Sequence, residues 1–157
     1  MHYEHLVAIN DPALPYLVPL SRAQVWAGLM QRVEDARPFL PGLDACDILA
    51  RGEGWVERRL RFGNALVEDR ASYAAEDWVC FTTRANRQHG GGSLTIVIEE
   101  PAPGRLFLRF RYELQHALGA EQENAAYDDL LRQAYEAADI ETVQVIRLLA
   151  AETGLPA

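Results

Sequence analysis

Two oppositely charged residues stand opposite each other in an otherwise apolar hairpin pattern. Residues 55–62 and 65–74 alternate in polarity, and the Gly63-Asn64 pair between them suits a two-residue turn of type II′. This turn places Arg58 opposite Asp69 on the apolar face. Such a pair either satisfies itself as a buried ion pair, which contributes little net stability, or anchors the polar end of a small molecule in an apolar cavity.

The opposite face of the same hairpin supports this register. Arg59 then meets Glu68, and Glu57 meets Arg70, so that both cross-strand pairs join opposite charges. The face that carries Arg58 is otherwise built from apolar or aromatic side chains, which are Val56, Leu60, Phe62, Ala65, Val67, Ala71 and Tyr73.

A second hairpin predicts another wall and a possible proton-transfer group. A loop at 102–104, with Gly104 in the left-handed conformation, pairs Ile98 with Leu108, Ile96 with Phe110 and Leu94 with Tyr112. Tyr112 is either a core aromatic with a satisfied hydroxyl or a group that faces a ligand.

His5 raises the same question at the start of the chain. It alternates with Tyr3, Val7 and Ile9 and should point inward. It is either a satisfied core histidine or a proton-transfer group at the cavity edge.

Other familiar chemical motifs are absent from the sequence. The four histidines show no metal-ligand spacing, so no metal site is predicted. His89-Gly90-Gly91-Gly92 is similar to the oxyanion tetrad of lipases and esterases, but no GxSxG elbow accompanies it. A flexible hairpin loop explains this tetrad better. Nothing in the sequence calls for a cofactor.

Length and charge limit the classes of function. The chain of 157 residues suits one domain, 1–157. Its net charge of −8 argues against nucleic acid or an anionic membrane as partner. All 15 basic residues are arginines, which excludes lysine Schiff-base chemistry. Without a signal peptide or an apolar run of about 20 residues, the chain is expected in the cytoplasm.

The elements that must position these residues follow from periodicity. A strand at 3–10 precedes a helix that begins with a capping box of Ser21 and Gln24 and ends at Arg37-Pro38. A long helix is predicted over 123–153, with an apolar stripe of Tyr127, Leu131, Ala134, Ala138, Val145 and Leu149. Between the helices the period is two, and the predicted strands are 44–51, 55–62, 65–74, 78–85, 93–100 and 105–115.

These elements predict an α+β fold. The connections between the six strands are too short for parallel crossovers, so we expect a curved, seven-stranded antiparallel sheet. The final helix is the only element long enough to cover its apolar face, and an apolar cavity should lie between the two.

Short segments along the whole chain resemble the AtaL-like family, a branch of the START and pollen-allergen-like helix-grip superfamily (SRPBCC). The segments are Glu4-His5, Asn10-Asp11-Pro12, Phe39-Leu40-Pro41-Gly42-Leu43-Asp44, Leu60-Arg61-Phe62-Gly63, Gly91-Gly92-Ser93-Leu94-Thr95, Ile98-Glu99-Glu100-Pro101, Leu106-Phe107-Leu108-Arg109-Phe110 and Ala138-Asp139-Ile140. The resemblance implies a helix-grip fold with a hydrophobic cavity. It carries over no catalytic residues, and members of the superfamily include polyketide aromatase/cyclases, lipid or hormone carriers, and assembly factors.

Three functions therefore stay open. The leading hypothesis is a binding protein for a small apolar or aromatic molecule, whose polar end Arg58 and Asp69 would orient. The remaining predicted ligand contacts are Phe62, Ile96, Phe110, Tyr112 and Tyr135. The alternatives are a cyclase or dehydratase that uses Asp69, Tyr112 or His5 for proton transfer, and a stress or interaction protein whose cavity is vestigial.

Overall fold

A single antiparallel sheet and two helices make up the part of the chain that the structure describes. The computed structural model describes residues 1–85, 90–115 and 125–153, and within the last helix it describes the side chains of 128–152. The elements are β1 (His2–Ala8), α1 (Arg22–Glu34), β2 (Ala45–Gly52), β3 (Trp55–Phe62), β4 (Ala65–Ala74), β5 (Trp78–Thr83), β6 (Gly92–Ala102), β7 (Arg105–Leu114) and α2 (Ala125–Thr153). The seven strands are ordered β1-β7-β6-β5-β4-β3-β2, and each neighbouring pair is antiparallel.

Both predicted hairpin registers are confirmed. Arg58 lies opposite Asp69 in β3–β4, and Leu94 lies opposite Tyr112 in β6–β7. Gly63 has a φ of 58° while that of Asn64 is negative, which is the type II′ combination. The second hairpin differs in detail, because β6 continues to Ala102 after a register shift and pairs it directly with Arg105.

Helix α1 begins as its sequence predicts. The Ser21 side chain accepts a hydrogen bond from the Gln24 backbone N–H, and the Gln24 side chain accepts one from Ser21 N–H. The helix ends at Glu34, three residues before the predicted Arg37-Pro38 boundary. Its buried face carries Val25, Leu29 and Val33 into the core.

Helix α2 is unbroken and lies across the concave face of the sheet, where it packs most closely on α1 and β1. Its buried face differs from the predicted stripe, because Ala134 and Ala138 are exposed and two polar residues lie at the centre of that face. The residues of α2 that the structure buries are Asp139, Thr142, Val143, Val145, Ile146 and Ala150. The predicted stripe contained only apolar positions and omitted Asp139 and Thr142, so it is displaced around the helix relative to the buried face.

Some predictions concern residues outside those described. They include His89 of the glycine-rich tetrad, His116, residues 123–124 of the predicted helix and the Tyr127 side chain.

Candidate functional site

An apolar cavity of about 470 Å³ lies between the sheet and the two helices. The β3–β4 hairpin and α2 form opposite walls. At the hairpin tip, the half-buried Phe62 and the exposed Leu66 border the cavity, so this end communicates with solvent. Its lining is mainly aromatic and aliphatic, and the ionisable side chains among the lining residues are Arg32, Arg58, Asp69, Tyr112, Tyr135 and Asp139.

The structure brings most of the predicted ligand contacts to this cavity. Those that line it are Arg58, Phe62, Asp69, Tyr112 and Tyr135. Ile96 and Phe110 do not, and both are completely buried in the core. They form the next inward-facing pair of the β6–β7 hairpin after Leu94 and Tyr112, at a level where the core is filled by side chains.

Arg58 and Asp69 form a buried ion pair that is nearly saturated with hydrogen bonds. Arg58 Nε donates to Asp69 Oδ1 at 2.9 Å, and Nη2 donates to Oδ2 at 2.6 Å. Nη1 donates to the backbone carbonyls of Arg32 and Val33, at 2.8 and 3.1 Å. Arg58 therefore satisfies carbonyls that the end of α1 leaves without helical partners. This bonding agrees with the structural interpretation of the pair.

A second polar group, which the sequence analysis did not assemble, crosses from the sheet to α2. The Tyr112 hydroxyl donates a short hydrogen bond to Asp139 Oδ1, and His5 Nδ1 lies 3.2 Å from Asp139 Oδ2. Tyr135, one helical turn before Asp139, stacks on Tyr112 with ring centroids 4.3 Å apart. Of these residues, Tyr112, Tyr135 and Asp139 line the cavity. His5 contacts Asp139 but is not one of the lining residues.

Burial shifts the proton affinities of this group. It raises the pKa of Asp139 to about 6, although the hydrogen bonds of Tyr112 and His5 act in the opposite direction. Burial and the nearby Asp139 carboxylate also raise the pKa of Tyr112 well above its usual range. Near neutral pH, Asp139 can therefore gain or lose a proton beside the cavity, which is the property of a general acid or base.

Arg32, near the end of α1, is another cavity residue that the sequence analysis missed. Its Nη1 donates to Thr142 Oγ1 at 2.9 Å. The guanidinium also lies near two aromatic rings, 5.8 Å from the centroid of Phe39 and 5.3 Å from that of Phe81. Burial lowers the pKa of Arg32 from its usual value.

The helical spacing of Asp139 and Arg32 in the sequence indicates that both lie on buried helix faces. Asp139 follows the predicted contact Tyr135 by four positions, and Arg32 follows Leu29 by three. Residues at these spacings share a helix face. A polar residue on a buried face is more informative than another apolar one.

Two further features are absent from the described part of the chain. Residues 1–85, 90–115 and 125–153 contain no group of three or more His, Cys, Asp or Glu side chains that could hold a metal ion. Within the same ranges, no helix is long and apolar enough to cross a membrane.

Solved structures with the same fold span several kinds of protein. The Zhui aromatase/cyclase from Streptomyces sp. R1128 is 15% identical, with a TM-score of 0.66 and coverage of 99% of this chain and 96% of its own. Ara h 8.0201 is 14% identical (TM-score 0.63, coverage 97% and 98%). The Aha1 dimer protein from Colwellia psychrerythraea is 10% identical (TM-score 0.62, coverage 94% and 96%). At these identities the likeness shows the helix-grip fold alone.

Sequence comparison assigns the family. No curated protein is significantly similar to the chain. The family model described as acetylaranotin biosynthesis cluster protein L, AtaL, matches residues 7–153, which is nearly the whole chain. The predicted fold and the resemblance noted from short segments are both confirmed. The chain belongs to the AtaL family and has the helix-grip fold.

Proposed function

We propose that the protein binds a small, mainly apolar aromatic molecule in the cavity between the sheet and α2. The observation that carries this proposal is the cavity itself, whose volume of about 470 Å³ falls within the range of about 300–1,000 Å³ usual for small-molecule sites. Related folds include an aromatase/cyclase, which supports a cyclic or polyketide-like ligand. The cytoplasm remains the location that the sequence predicts.

Within this proposal, the aromatic wall contacts the body of the ligand. The stacked Tyr112 and Tyr135 offer a flat surface, and Phe62 approaches from the hairpin tip. Arg58 and Asp69 border the cavity and shape its wall while they hold each other and the end of α1.

A cavity-filling variant tests binding with a matched control. Ala137 and Ala138 are both exposed, but of the two only Ala138 lines the cavity. Ala138→Phe should weaken binding of the fluorescent dye N-phenyl-1-naphthylamine by about tenfold or more, equivalent to about 1.4 kcal/mol. Ala137→Phe should leave the affinity unchanged. The proposal fails if the dye does not bind the parent protein, or if it binds Ala138→Phe as tightly as the parent.

A second candidate function is acid–base catalysis, and the Tyr112–Asp139 contact at the cavity wall favours it. A bound β-hydroxy ketone could lose water there. The proton of neutral Asp139 leaves with the hydroxyl oxygen as the C–O bond breaks. The resulting carboxylate then accepts the proton of the adjacent carbon, and the two steps form the enone and water.

Ultraviolet absorbance of the enone product tests this candidate with 4-hydroxy-4-phenylbutan-2-one as a model substrate. Loss of a positioned general acid typically costs about 10²–10⁴-fold in rate, so Asp139→Asn should abolish most of any acceleration. Asp129→Asn, on the exposed face of the same helix, should keep it. Equal rates for the parent and Asp139→Asn would leave only the binding function.

A further inference from the structure

Arg32 is a cation without an anionic partner in an apolar cavity. Its described polar contact is the hydrogen bond from Nη1 to Thr142, and among the residues that the structure describes no carboxylate lies within ion-pair distance of it. Thr142 is neutral and 1% exposed. Arg58, the other cavity arginine, has Asp69 as its counter-ion.

The unused edge of Arg32 has the shape that a carboxylate requires. Nε and Nη2 have no hydrogen-bond partner among the described residues. The described residues contain no fully buried side-chain nitrogen without a partner, so both atoms keep some exposure, and Arg32 lines the cavity. These two nitrogens form one edge of the guanidinium, with parallel N–H bonds. Arg58 uses the same edge, Nε and Nη2, to hold both oxygens of Asp69. The protein therefore contains an example of the contact that Arg32 could make.

The charges that surround Arg32 leave it without a directly bonded anion among the described residues. Arg58 disfavours its positive charge, while the carboxylates of Asp69 and Asp139 act in the opposite direction. Asp69 is already paired with Arg58. The rings of Phe39 and Phe81 provide only weak cation–π attraction. Arg32 is partly buried, and a partly buried charge without an ion-pair partner loses some of its solvation, so a ligand anion at this position would be favourable.

We propose that the ligand carries a carboxylate, which binds side-on to Nε and Nη2 of Arg32 while its ring system packs against Tyr112 and Tyr135. This inference rests on the proposed binding function, because it needs a ligand in the cavity. It identifies the substrate class as aromatic or polycyclic carboxylic acids rather than neutral apolar molecules.

Two ligands of the same shape separate the charge requirement from cavity binding. 2-Naphthoate and 2-naphthamide share a ring system and differ in the charge of the polar group. Each is titrated against protein loaded with N-phenyl-1-naphthylamine, and its displacement of the dye gives its affinity. The parent should bind naphthoate about tenfold or more tightly than naphthamide, because only the carboxylate can form a charge-assisted bidentate contact with Arg32.

Variants of Arg32 assign the preference to this residue. Arg32→Met should remove the preference for naphthoate and leave the naphthamide affinity within about twofold. Arg32→Lys should keep part of the preference, since an ammonium retains the charge without the fork. The control Arg105→Met changes an exposed arginine outside the cavity and should behave as the parent.

The outcomes distinguish the two proposals. Equal binding of both ligands by the parent, or a preference that survives Arg32→Met, overturns the role of Arg32 while cavity binding stands. Absence of dye binding by the parent overturns both. Arg32→Met should fold, because it removes a partly buried charge that has no ion-pair partner among the described residues. It should melt close to the parent. If it does not fold, Arg32→Gln serves the same comparison.

Discussion

The surroundings of Asp139 change its protonation behaviour. This residue is 2% exposed, and burial raises its pKa to about 6. A group with a raised folded-state pKa holds its proton more tightly in the folded than in the unfolded chain. Its contribution to stability is therefore full at low pH and is lost as the pH rises through the folded pKa.

Asp139→Asn should remove this pH dependence. Between about pH 7.5 and pH 5, the free energy of unfolding of the parent should rise by about 1 kcal/mol relative to the variant. The asparagine oxygen can still accept the Tyr112 hydrogen bond, so the fold is retained. Urea unfolding at several pH values measures the difference. Parallel pH profiles for the two proteins would contradict the raised pKa.

The Arg58–Asp69 pair illustrates how a buried charge depends on its partner. Both side chains are at most 4% exposed, and all the described polar contacts of Asp69 come from Arg58. Removing one member leaves the other charge buried without compensation, whereas removing both leaves no uncompensated charge.

The destabilising effects of the two single substitutions should therefore not add up in the double variant. Arg58→Met and Asp69→Leu should each cost about 3–5 kcal/mol of stability. The double variant should cost only about 1–2 kcal/mol, mainly from the lost bonds to the α1 carbonyls. The exposed pair Arg59–Glu68 on the same hairpin provides a control, and its removal should cost less than about 1 kcal/mol. Additive single effects in thermal melts would refute the coupling.

At the scale of elements, the close approach of α1 and α2 depends on one glycine. Gly28 is buried on α1, and a Cβ there would lie 2.7 Å from Cγ1 and 2.8 Å from Cγ2 of Ile146 on α2. Alanine normally favours a helix over glycine by about 1 kcal/mol. Here the side chain would push apart the two helices that enclose the cavity.

Gly28→Ala should therefore destabilise the protein by about 1–3 kcal/mol despite its better helix propensity. The same change in an Ile146→Ala background should cost less, because the two overlapping methyl and methylene groups are gone and only the Cβ of residue 146 remains, 3.1 Å from the new Cβ. Chemical denaturation of the four proteins completes a double-mutant cycle. A stabilising effect of Gly28→Ala alone would show that the helices can separate without cost.

At the scale of the whole molecule, the cavity should couple ligand binding to stability. A ligand that binds only the folded state at about a hundredfold over its Kd adds about 2.7 kcal/mol. For a domain of this size that corresponds to a rise in melting temperature of about 5–10 °C. N-phenyl-1-naphthylamine should produce this shift in the parent and in Ala137→Phe, whereas binding that is tenfold weaker or more should reduce it to about half or less in Ala138→Phe. A shift of equal size in Ala138→Phe would place the binding site elsewhere.

Much of this fold follows from interactions between near neighbours in the sequence. Alternating side chains and the Gly63-Asn64 turn determine which residues face each other in β3–β4, since a two-residue turn allows only one register. The Ser21–Gln24 capping box determines where α1 begins. These features are local, and the sequence alone was sufficient to predict them.

The site, in contrast, was decided by contacts between distant segments. Tyr112 meets Asp139, His5 meets the same carboxylate across 134 positions, and Arg32 meets Thr142 across 110. The same packing sealed Ile96 and Phe110 in the core and left Leu94 and Tyr112 at the cavity. Periodicity predicts that a helix covers the sheet, but the rotation of the helix depends on how both helices pack. The packing of the two helices therefore determines which polar side chains face the cavity.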